Sequence, residues 1–531
     1  MSAIKGLFKD TAIYGISSIV GRFLNWCLVP LYTYVLSSSA DYGIVTNLYA
    51  WTALMMVILT YGMETGMFRF MSDEKEDANT VYKTALTSLF TTSLVFVVLC
   101  TVFIQPIAQA LGYEHYLEFV GMMVLITAMD AFDCIPFAYL RYKKQPIRFA
   151  IIKFVMIFAN IGMNLFFLLL CPYLWREAPS LIDWFYRPDY QVGYIFVANL
   201  ISTLIVTLVL LPYVFQGKYA FKWTLLKRMM YYSLPLLMLG VVGIMNQTID
   251  KILFPYLYES KEVAVGQLGI YGACFKVAMV MMMFSQAFRY AYEPFVFDKS
   301  RSAGKEQMYA DTMKYYVITS LLICLGMILF IDVIKLLIHE SYWSGLIIVP
   351  IVLFSYLFQG IYSNLSIWYK LTDKTYYGFI ISSIGLVINV SLLWFLVPRY
   401  GLIGAGFASF GAFFTMMLIS YLLGCKYMPL PYDLVKFAKY LLLTLILMGI
   451  NYWVEMQCHE GFTTLKMTRI NYWYEEERDG GSKFSAEETI TDENAFNKKG
   501  TKLLKEQGKF RKGTIDFFDR CVTELSKALT E

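Results

Sequence analysis

The chain has 531 residues, of which 58% are hydrophobic and only 16% charged, with a formal net charge of +5. Soluble domains carry about 25% charged residues, so this composition excludes a soluble globular protein. The lysines and arginines are spread over many short segments and form no basic stripe, which argues against nucleic acid as a partner. The nine cysteines and three histidines lack the spacing of a metal site, and the sequence predicts no cofactor.

Thirteen apolar runs are long enough to cross a bilayer, since a span needs about 20 apolar residues. In chain order they are Thr11–Leu36, Tyr42–Met63, Thr84–Leu111, Leu117–Leu140, Phe149–Cys171, Val192–Phe215, Tyr231–Leu257, Val265–Phe297, Tyr315–Ile338, Leu346–Tyr369, Tyr377–Val397, Ile403–Leu423 and Leu434–Val454. The first run lacks a cleavage site and is interpreted as a span, not a signal peptide. The sequence therefore predicts an all-α polytopic membrane protein.

The charges of the loops predict the orientation. With the N-terminus inside, the inner segments hold twenty-two lysines and arginines, and the outer loops before the tail hold four. Because short cytoplasmic loops are enriched in these residues, this pattern predicts a cytoplasmic N-terminus.

Matching residues recur at one offset, which indicates a duplication. Gly15 and Gly240, Pro30 and Pro255, and Asn164 and Asn389 are each 225 positions apart. Such an offset predicts two parallel six-helix bundles, residues 1–216 and 217–425, with a site in a central cavity between them. One additional helix, residues 426–457, and a polar soluble tail, residues 458–531, complete the predicted organisation.

Several cations lie inside these spans, where a charge is expensive unless something polar surrounds it. Arg22 and Lys276 could each hold an anion in a central cavity or pair with a carboxylate on a neighbouring helix. Arg289 and Glu293 are one helical turn apart, so an internal ion pair is favoured for them.

Three aspartates also lie inside these spans and could either bind a ligand or pair with a neighbouring charge. Asp130 and Asp133 lie on one face of a span, as a site for a proton or a sodium ion requires, although each could instead pair with a basic group. Asp250 and Lys251 are adjacent and point about 100° apart, so we expect them not to pair with each other across one helix face.

Four segments resemble bacterial polysaccharide transporters: LVPLYTYVLSSSADYGIVTNLYA, YGMETGMFRF, NQTIDKILFPYL and GIYGACFKVAMVMMMFSQAFRYAYEPFVF. These transporters are oligosaccharide-lipid flippases of the multidrug/oligosaccharidyl-lipid/polysaccharide superfamily. The resemblance covers about Leu7–Val454, and family members commonly have fourteen helices where this chain has thirteen.

The resemblance implies a protein of the bacterial inner membrane that works by ion-coupled alternating access. Its implied substrate is an undecaprenyl-pyrophosphate-linked oligosaccharide repeat unit for O-antigen or capsule. Its implied partners are this lipid-linked oligosaccharide, membrane lipid and a coupling ion, H+ or Na+, and the polysaccharide polymerase machinery is a candidate partner. Four cations are carried over as substrate-binding residues and three aspartates as ion-coupling residues: Arg22, Lys251, Lys276, Arg289, Asp130, Asp133 and Asp250.

Two other functions are compatible with the architecture. A multidrug or toxin extruder of the same superfamily would favour an acidic or aromatic cavity, against which Arg22 and Lys276 argue. A membrane glycosyltransferase or polymerase usually places its catalytic groups in a sizeable outside loop. The longest such loop here, Pro172–Tyr190, is short for that role, so we expect no catalytic residues and no enzyme.

Overall fold

A computed structural model describes residues 19–258, 260–299 and 304–453. The described residues form helices, turns and loops and contain no strand, and eleven helical segments among them are long and apolar enough to span a membrane. The chain is thus a multi-pass, all-α membrane protein, as the hydropathy pattern predicted. The start of the first predicted helix and the tail at 458–531 lie outside the described residues.

The helices, in chain order, are α1 Leu28–Val35, α2 Ser39–Thr60, α3 Met63–Met71, α4 Ala78–Val102, α5 Ile104–Leu111, α6 Leu117–Tyr142, α7 Pro146–Leu165, α8 Cys171–Glu177, α9 Gln191–Val214, α10 Trp223–Leu253, α11 Lys261–Lys299, α12 Lys305–Leu329, α13 Ile331–Ile334, α14 Val349–Leu365, α15 Ile367–Leu371, α16 Tyr376–Tyr427 and α17 Leu434–Trp453. Residues 19–26 are also helical and precede α1 across a turn at Cys27. A 3₁₀ segment, Glu340–Ile348, leads into α14.

Local chemistry explains where α2 begins and where α16 bends. Ser38 and Asp41 form a capping box at the start of α2, with the Asp41 backbone nitrogen 3.2 Å from the Ser38 hydroxyl. At Gly401 the backbone of α16 has φ 56° and ψ −131°, which is not helical. Glycine permits this conformation without a steric cost, so the two spans predicted at Tyr377–Val397 and Ile403–Leu423 join there at a sharp kink.

The helices before and after residue 217 form two sets of neighbours. In the first set α6 packs against α2, α4 and α9, and α9 also packs against α7. In the second set α14 packs against α11, α12 and α16, and α16 also packs against α10. The predicted bundle boundaries at 216 and 425 stay a prediction. By its contacts the chain forms units Met1–Leu441 and Leu442–Glu531, and the described part of the second unit is the end of α17.

The two sets meet where α2 packs against α10 and α11. Glycines make the approach of α2 to α11 close: a Cβ on Gly43 would lie 2.0 Å from the Val265 carbonyl oxygen, and one on Gly269 would lie 1.8 Å from that of Ser39. Real Cβ atoms do not approach backbone atoms so closely, so these positions require glycine. The beginning of α2 is therefore in direct backbone contact with the second and third turns of α11.

Candidate functional site

A cavity of about 520 Å³ lies between the two sets of helices. On α2 its lining residues recur at spacings of three and four, which places them on one helix face. These residues are Tyr42, Val45, Thr46, Tyr49, Ala50 and Ala53. On the opposite side α11 contributes Gly272, Phe275, Lys276, Met279 and Met282 in the same periodic manner. The cavity is thus formed where α2 and α11 face each other beyond their close contact.

The polar side chains of the cavity divide by charge between the two sets of helices. The first set contributes neutral amides and hydroxyls and one carboxylate: Asn25, Tyr32, Tyr42, Thr46, Tyr49, Asp130, Asn160, Asn199 and Ser202. The second set contributes two cations beside neutral groups: Gln247, Thr248, Lys251, Lys276 and Tyr356. The first set of helices therefore forms a polar and weakly acidic wall, called the first wall below. The second set forms the cationic wall that faces it.

Lys276 is the cation of this site for which the described residues provide no countercharge. It is half-buried and lines the cavity, and the indole nitrogen of Trp26 donates to its backbone oxygen at 2.7 Å. Within the described residues its amino group has no hydrogen bond and no ion pair, and its charged neighbour is Lys251, which has the same sign. An ammonium group held at bilayer depth with a second cation beside it favours an anionic ligand.

Lys251 also lines the cavity, but it is paired. Its amino group lies 2.8 Å from the Asp250 carboxylate and 3.5 Å from the centre of the Phe275 ring. The expectation that Asp250 and Lys251 do not pair is wrong. The long lysine side chain folds back along the helix, so that its end reaches the adjacent carboxylate despite the 100° between the two Cα–Cβ directions.

Asp250 is buried, and its carboxylate has several partners. The Tyr271 hydroxyl donates to Oδ2 at 2.6 Å, and the Lys251 backbone nitrogen donates to Oδ1 at 2.9 Å. Together with the Lys251 amino group these donors satisfy both carboxylate oxygens. The geometry is that of a stabilised ion pair beside the cavity, and the coupling role of Asp250 stays a prediction.

Arg22 and Arg289 lie together but are not among the residues that line the cavity. Arg22 is exposed, donates to the Gln286 side-chain oxygen and has Arg289 as an electrostatic neighbour. Arg22 precedes the lining residue Asn25 by about one helical turn, so the two arginines are located next to the cavity. The side chain of Glu293, the expected partner of Arg289, lies outside the described residues.

Asp130 and Asp133 belong to a charged cluster on the first wall, in which Asp133 is buried and Asp130 is partly buried. Asp130 lines the cavity and accepts a hydrogen bond from Thr203 at 3.4 Å. Asp133 is 3% exposed and accepts from Thr207 at 2.8 Å through Oδ2, whereas its Oδ1 has no partner in the part of the chain that the structure describes. Lys153 interacts electrostatically with both aspartates and lies 4.0 Å from the centre of the Phe137 ring.

Glu64 and Arg141 form an ion pair that extends this cluster, because Lys153 interacts with both of them. The cluster therefore contains three carboxylates and two cations, which leaves one negative charge in excess when all five groups are ionised. Such a charge inside a protein is expensive unless a cation compensates it.

Sequence reasoning missed the neutral polar residues of the first wall. The Asn199 amide donates to the Tyr49 hydroxyl at 2.9 Å. The Tyr32 hydroxyl donates to Asn164 at 3.0 Å, and the Asn164 amide donates to Asn160 at 3.0 Å. Amide groups inside apolar spans are a signal that could have indicated this wall, since buried amides require hydrogen-bond partners.

Comparison with solved structures identifies the fold. The lipid II flippase MurJ in an inward closed conformation matches with a TM-score of 0.65 and 15% identity, over 83% of this chain and 92% of that chain. An inward-facing multidrug resistance MATE transporter of the MOP superfamily matches with a TM-score of 0.62 and 13% identity, over 76% and 93% of the two chains. The MATE transporter DinF-BH in complex with R6G matches with a TM-score of 0.55 and 17% identity, over 79% and 95%.

These matches confirm the expected fold, which the chain shares with MurJ and with MATE transporters. No curated protein matches the sequence. The family model described as "Polysaccharide biosynthesis protein" matches residues 7–291, which is more than half of the chain. The chain belongs to this polysaccharide biosynthesis protein family.

Proposed function

We propose that this protein is a flippase that moves an undecaprenyl-pyrophosphate-linked oligosaccharide across the bacterial inner membrane for O-antigen or capsule synthesis. The observation that carries the proposal is the amino group of Lys276, which lies in the cavity beside Lys251 and has no ion-pair partner among the described residues. A pyrophosphate group supplies the missing negative charge, and lysine is a common phosphate ligand that acts as a point charge. The family match and the flippase fold of MurJ support the same function.

The neutral polar residues of the first wall suit the sugar part of this substrate. Asn25, Asn160 and Asn199 present amide groups to the cavity, and Tyr32 and Tyr49 present hydroxyls. Amides and hydroxyls both donate and accept hydrogen bonds, as the hydroxyl groups of a sugar require. In this arrangement the pyrophosphate lies against Lys276 on α11, and the sugars lie against α2, α7 and α9.

The arginines next to the cavity suit a step of substrate entry or exit. Arg22 and Arg289 are adjacent cations outside the cavity lining, so an anionic headgroup would encounter them before or after Lys276. Arginine binds phosphate oxygens in a bidentate manner. We assign these two residues to the entry or exit of the substrate and Lys276 to its occluded position.

Ion coupling is the second part of the proposal. The cluster of Asp130, Asp133, Lys153, Glu64 and Arg141 has one excess negative charge when all five groups are ionised, and the described residues provide no partner for the Asp133 Oδ1 atom. We assign this cluster as the site of the coupling cation, H+ or Na+. Because Asp130 also lines the cavity, a change in its charge acts directly on the space that holds the substrate.

Deletion of the gene tests the proposal. The lipid-linked oligosaccharide should accumulate on the inner leaflet, and one surface polysaccharide should disappear. Expression of the Lys276→Ala variant should fail to restore the polysaccharide, although the variant inserts normally. An unchanged polysaccharide together with new drug sensitivity would instead favour a multidrug extruder, for which Asp130 offers a carboxylate to cationic drugs.

A further inference from the structure

A second cavity, of about 860 Å³, lies on the outside of the first set of helices, away from the candidate site. Both α4 and α9 pack on α6, and the groove runs between them with α6 as its floor. It begins where the Tyr82 hydroxyl donates to Tyr213 O at 2.9 Å and the Lys83 amino group donates to Val214 O at 2.7 Å. From Lys83 to Val97 the groove follows α4 for about 21 Å, at 1.5 Å per residue.

The walls of this groove are almost entirely apolar. Leu125, Ala128, Met129 and Phe132 form its floor along one face of α6. On α4, Phe90 and Leu94 are 55% and 52% exposed, so the groove is open along its side. In a bilayer, a hydrocarbon chain fits a slot of this length and chemistry, since the hydrocarbon core is about 30 Å thick.

The end of the groove at Lys83 is cationic. Lys83 lines the groove, and one of its three protons is used by Val214 O, which leaves two for a ligand. The segment that carries Lys218 and Lys222 is fastened beside it: the Asn79 amide donates to Lys218 O at 2.9 Å, and the Lys222 backbone nitrogen donates to Thr84 at 3.3 Å.

The acidic side chains Asp77 and Glu76 near this end already have hydrogen-bond or ion-pair partners. Asp77 caps α4 by accepting from the Thr80 backbone and side chain, both at 2.8 Å, and these hydrogen bonds hold the pKa of its carboxyl below the usual value. Asp77 also interacts with Lys222, and Glu76 is paired with Arg228 at 2.5 Å. Lys83, Lys218 and Lys222 therefore leave an excess of positive charge at the end of an apolar slot.

We propose that this groove binds an anionic phospholipid of the bilayer, with its phosphate at Lys83, Lys218 and Lys222 and one acyl chain along α6. A bilayer lipid is favoured over the tail of the transported substrate, because α6 separates the two sites. Asp130 of α6 lines the central cavity, whereas the neighbouring Met129 and Phe132 line the groove. A tail attached to a headgroup in the cavity would have to pass through α6 to reach this groove.

The groove also touches the charged cluster. Thr207 lines the groove, and its hydroxyl is the donor that holds Asp133 Oδ2 at 2.8 Å. An acyl chain in the groove thus packs against the residue that orients Asp133. Lipid binding itself does not depend on the proposed transport function. An effect of the bound lipid on ion coupling through Asp133 does rest on that function.

Lipid retention by the purified full-length protein tests the binding site. The protein is reconstituted in nanodiscs of phosphatidylcholine with a minor fraction of phosphatidylglycerol, extracted in mild detergent, and analysed by native mass spectrometry. We expect one phosphatidylglycerol to be retained. Leu94→Trp, which fills the groove, should reduce its retention at least fivefold, and Val387→Trp, at a position 65% exposed on α16, should not.

The charge is tested separately. Lys218→Gln with Lys222→Gln should reduce phosphatidylglycerol retention at least threefold and leave phosphatidylcholine retention unchanged. Three results would overturn the proposal: equal retention by wild type and Leu94→Trp, no preference for phosphatidylglycerol over phosphatidylcholine, or displacement of the retained lipid by undecaprenyl phosphate. The last result would assign the groove to the substrate tail. Because retention is measured without transport, failure here is distinguishable from failure of the flippase proposal.

Discussion

Gly43 of α2 and Gly269 of α11 lie against each other, so that a Cβ on Gly269 would be 2.9 Å from the Gly43 backbone nitrogen. This contact closes the space between α2 and α11 at the end where both helices begin. With a cytoplasmic N-terminus, that end faces outward, and the two arginines next to the cavity face inward. Under the proposed flippase function, we expect this contact to act as the closed outer gate of an alternating-access cycle.

Substitution of Gly269 tests this gate. In Gly269→Ala the new methyl group would overlap the Ser39 carbonyl oxygen, so α2 and α11 must separate and transport should fall at least tenfold. Cysteine pairs placed across the two helices, with cross-linking as the measurement, should report the separation. Gly266→Ala is the matched control, since its Cβ would meet the Ser39 hydroxyl at an ordinary 3.6 Å. Wild-type transport by Gly269→Ala would contradict the gate.

Removal of the Lys276 charge should weaken substrate binding. Hydrogen bonds to charged groups contribute about 1.5–3 kcal/mol, so in Lys276→Ala the Kd for a lipid-linked pyrophosphate should rise roughly ten- to hundredfold. Binding to purified protein is the measurement, and Lys276→Arg should recover part of the affinity. Lys436→Ala, which removes an exposed lysine paired with Asp433, should leave the Kd unchanged. An unchanged Kd in Lys276→Ala would rule out this residue as a phosphate ligand.

The Asp250–Lys251 pair should contribute chiefly to stability. Asp250→Ala leaves the Lys251 ammonium and the Tyr271 hydroxyl without their partner, which typically costs about 3–5 kcal/mol for a buried pair. Thermal unfolding in detergent should therefore show a clearly lower Tm. The double variant Asp250→Leu and Lys251→Leu should be less destabilised, because no buried charge is left unpaired. A wild-type Tm for Asp250→Ala, with transport lost, would instead support a coupling role for Asp250.

Neutralising the acidic cluster should uncouple transport. Asp133→Asn removes the excess negative charge that would hold the coupling cation, and Asp130→Asn removes the carboxylate that lines the cavity. We expect each variant to insert normally and to lose most ion-dependent transport in proteoliposomes. Asp183→Asn, at an exposed position outside the spans, should behave as wild type. Full activity of the double Asn variant would exclude the pair from coupling.

The orientation in the membrane is open to a direct test. In a background without native cysteines, Lys143→Cys, at an exposed position after α6, should be inaccessible to an impermeant thiol reagent in intact cells. Asp183→Cys, on the predicted outer loop, should be labelled in the same cells. The opposite pattern would invert the topology and place the Gly43–Gly269 contact at the inner face.

The spans could be predicted from sequence because hydropathy sums over about 20 residues and tolerates local errors. The join at Gly401 was not predicted, since one non-helical residue hardly changes the hydropathy of its neighbours. Lys276 was correctly expected to lie in a cavity because a lone cation at that depth needs a polar space. The pairing of Lys251 with Asp250 was missed because helix geometry fixes the direction of Cβ, whereas the end of a lysine side chain can reach back.

Positions across the bundle were harder to predict. Arg22 was expected to share the cavity with Lys276, but the face that its helix presents depends on tertiary packing, which the sequence does not encode locally. Lys153 was visible as a charged residue in a span. Its association with Asp130 and Asp133 depends on how α6 and α7 are placed, and no spacing along one helix reveals it.

The division of charge between the two walls of the cavity makes the two ligands interdependent without any contact between them. In the empty cavity the acidic wall and the cationic wall attract each other. A pyrophosphate on Lys276 adds negative charge opposite Asp130, which strengthens the attraction of the acidic cluster for a proton or sodium ion. By reciprocity, a bound cation must raise the affinity for the pyrophosphate by the same factor. Under the proposed function, occupancy of one site would thus change the affinity of the other through electrostatics across the cavity alone.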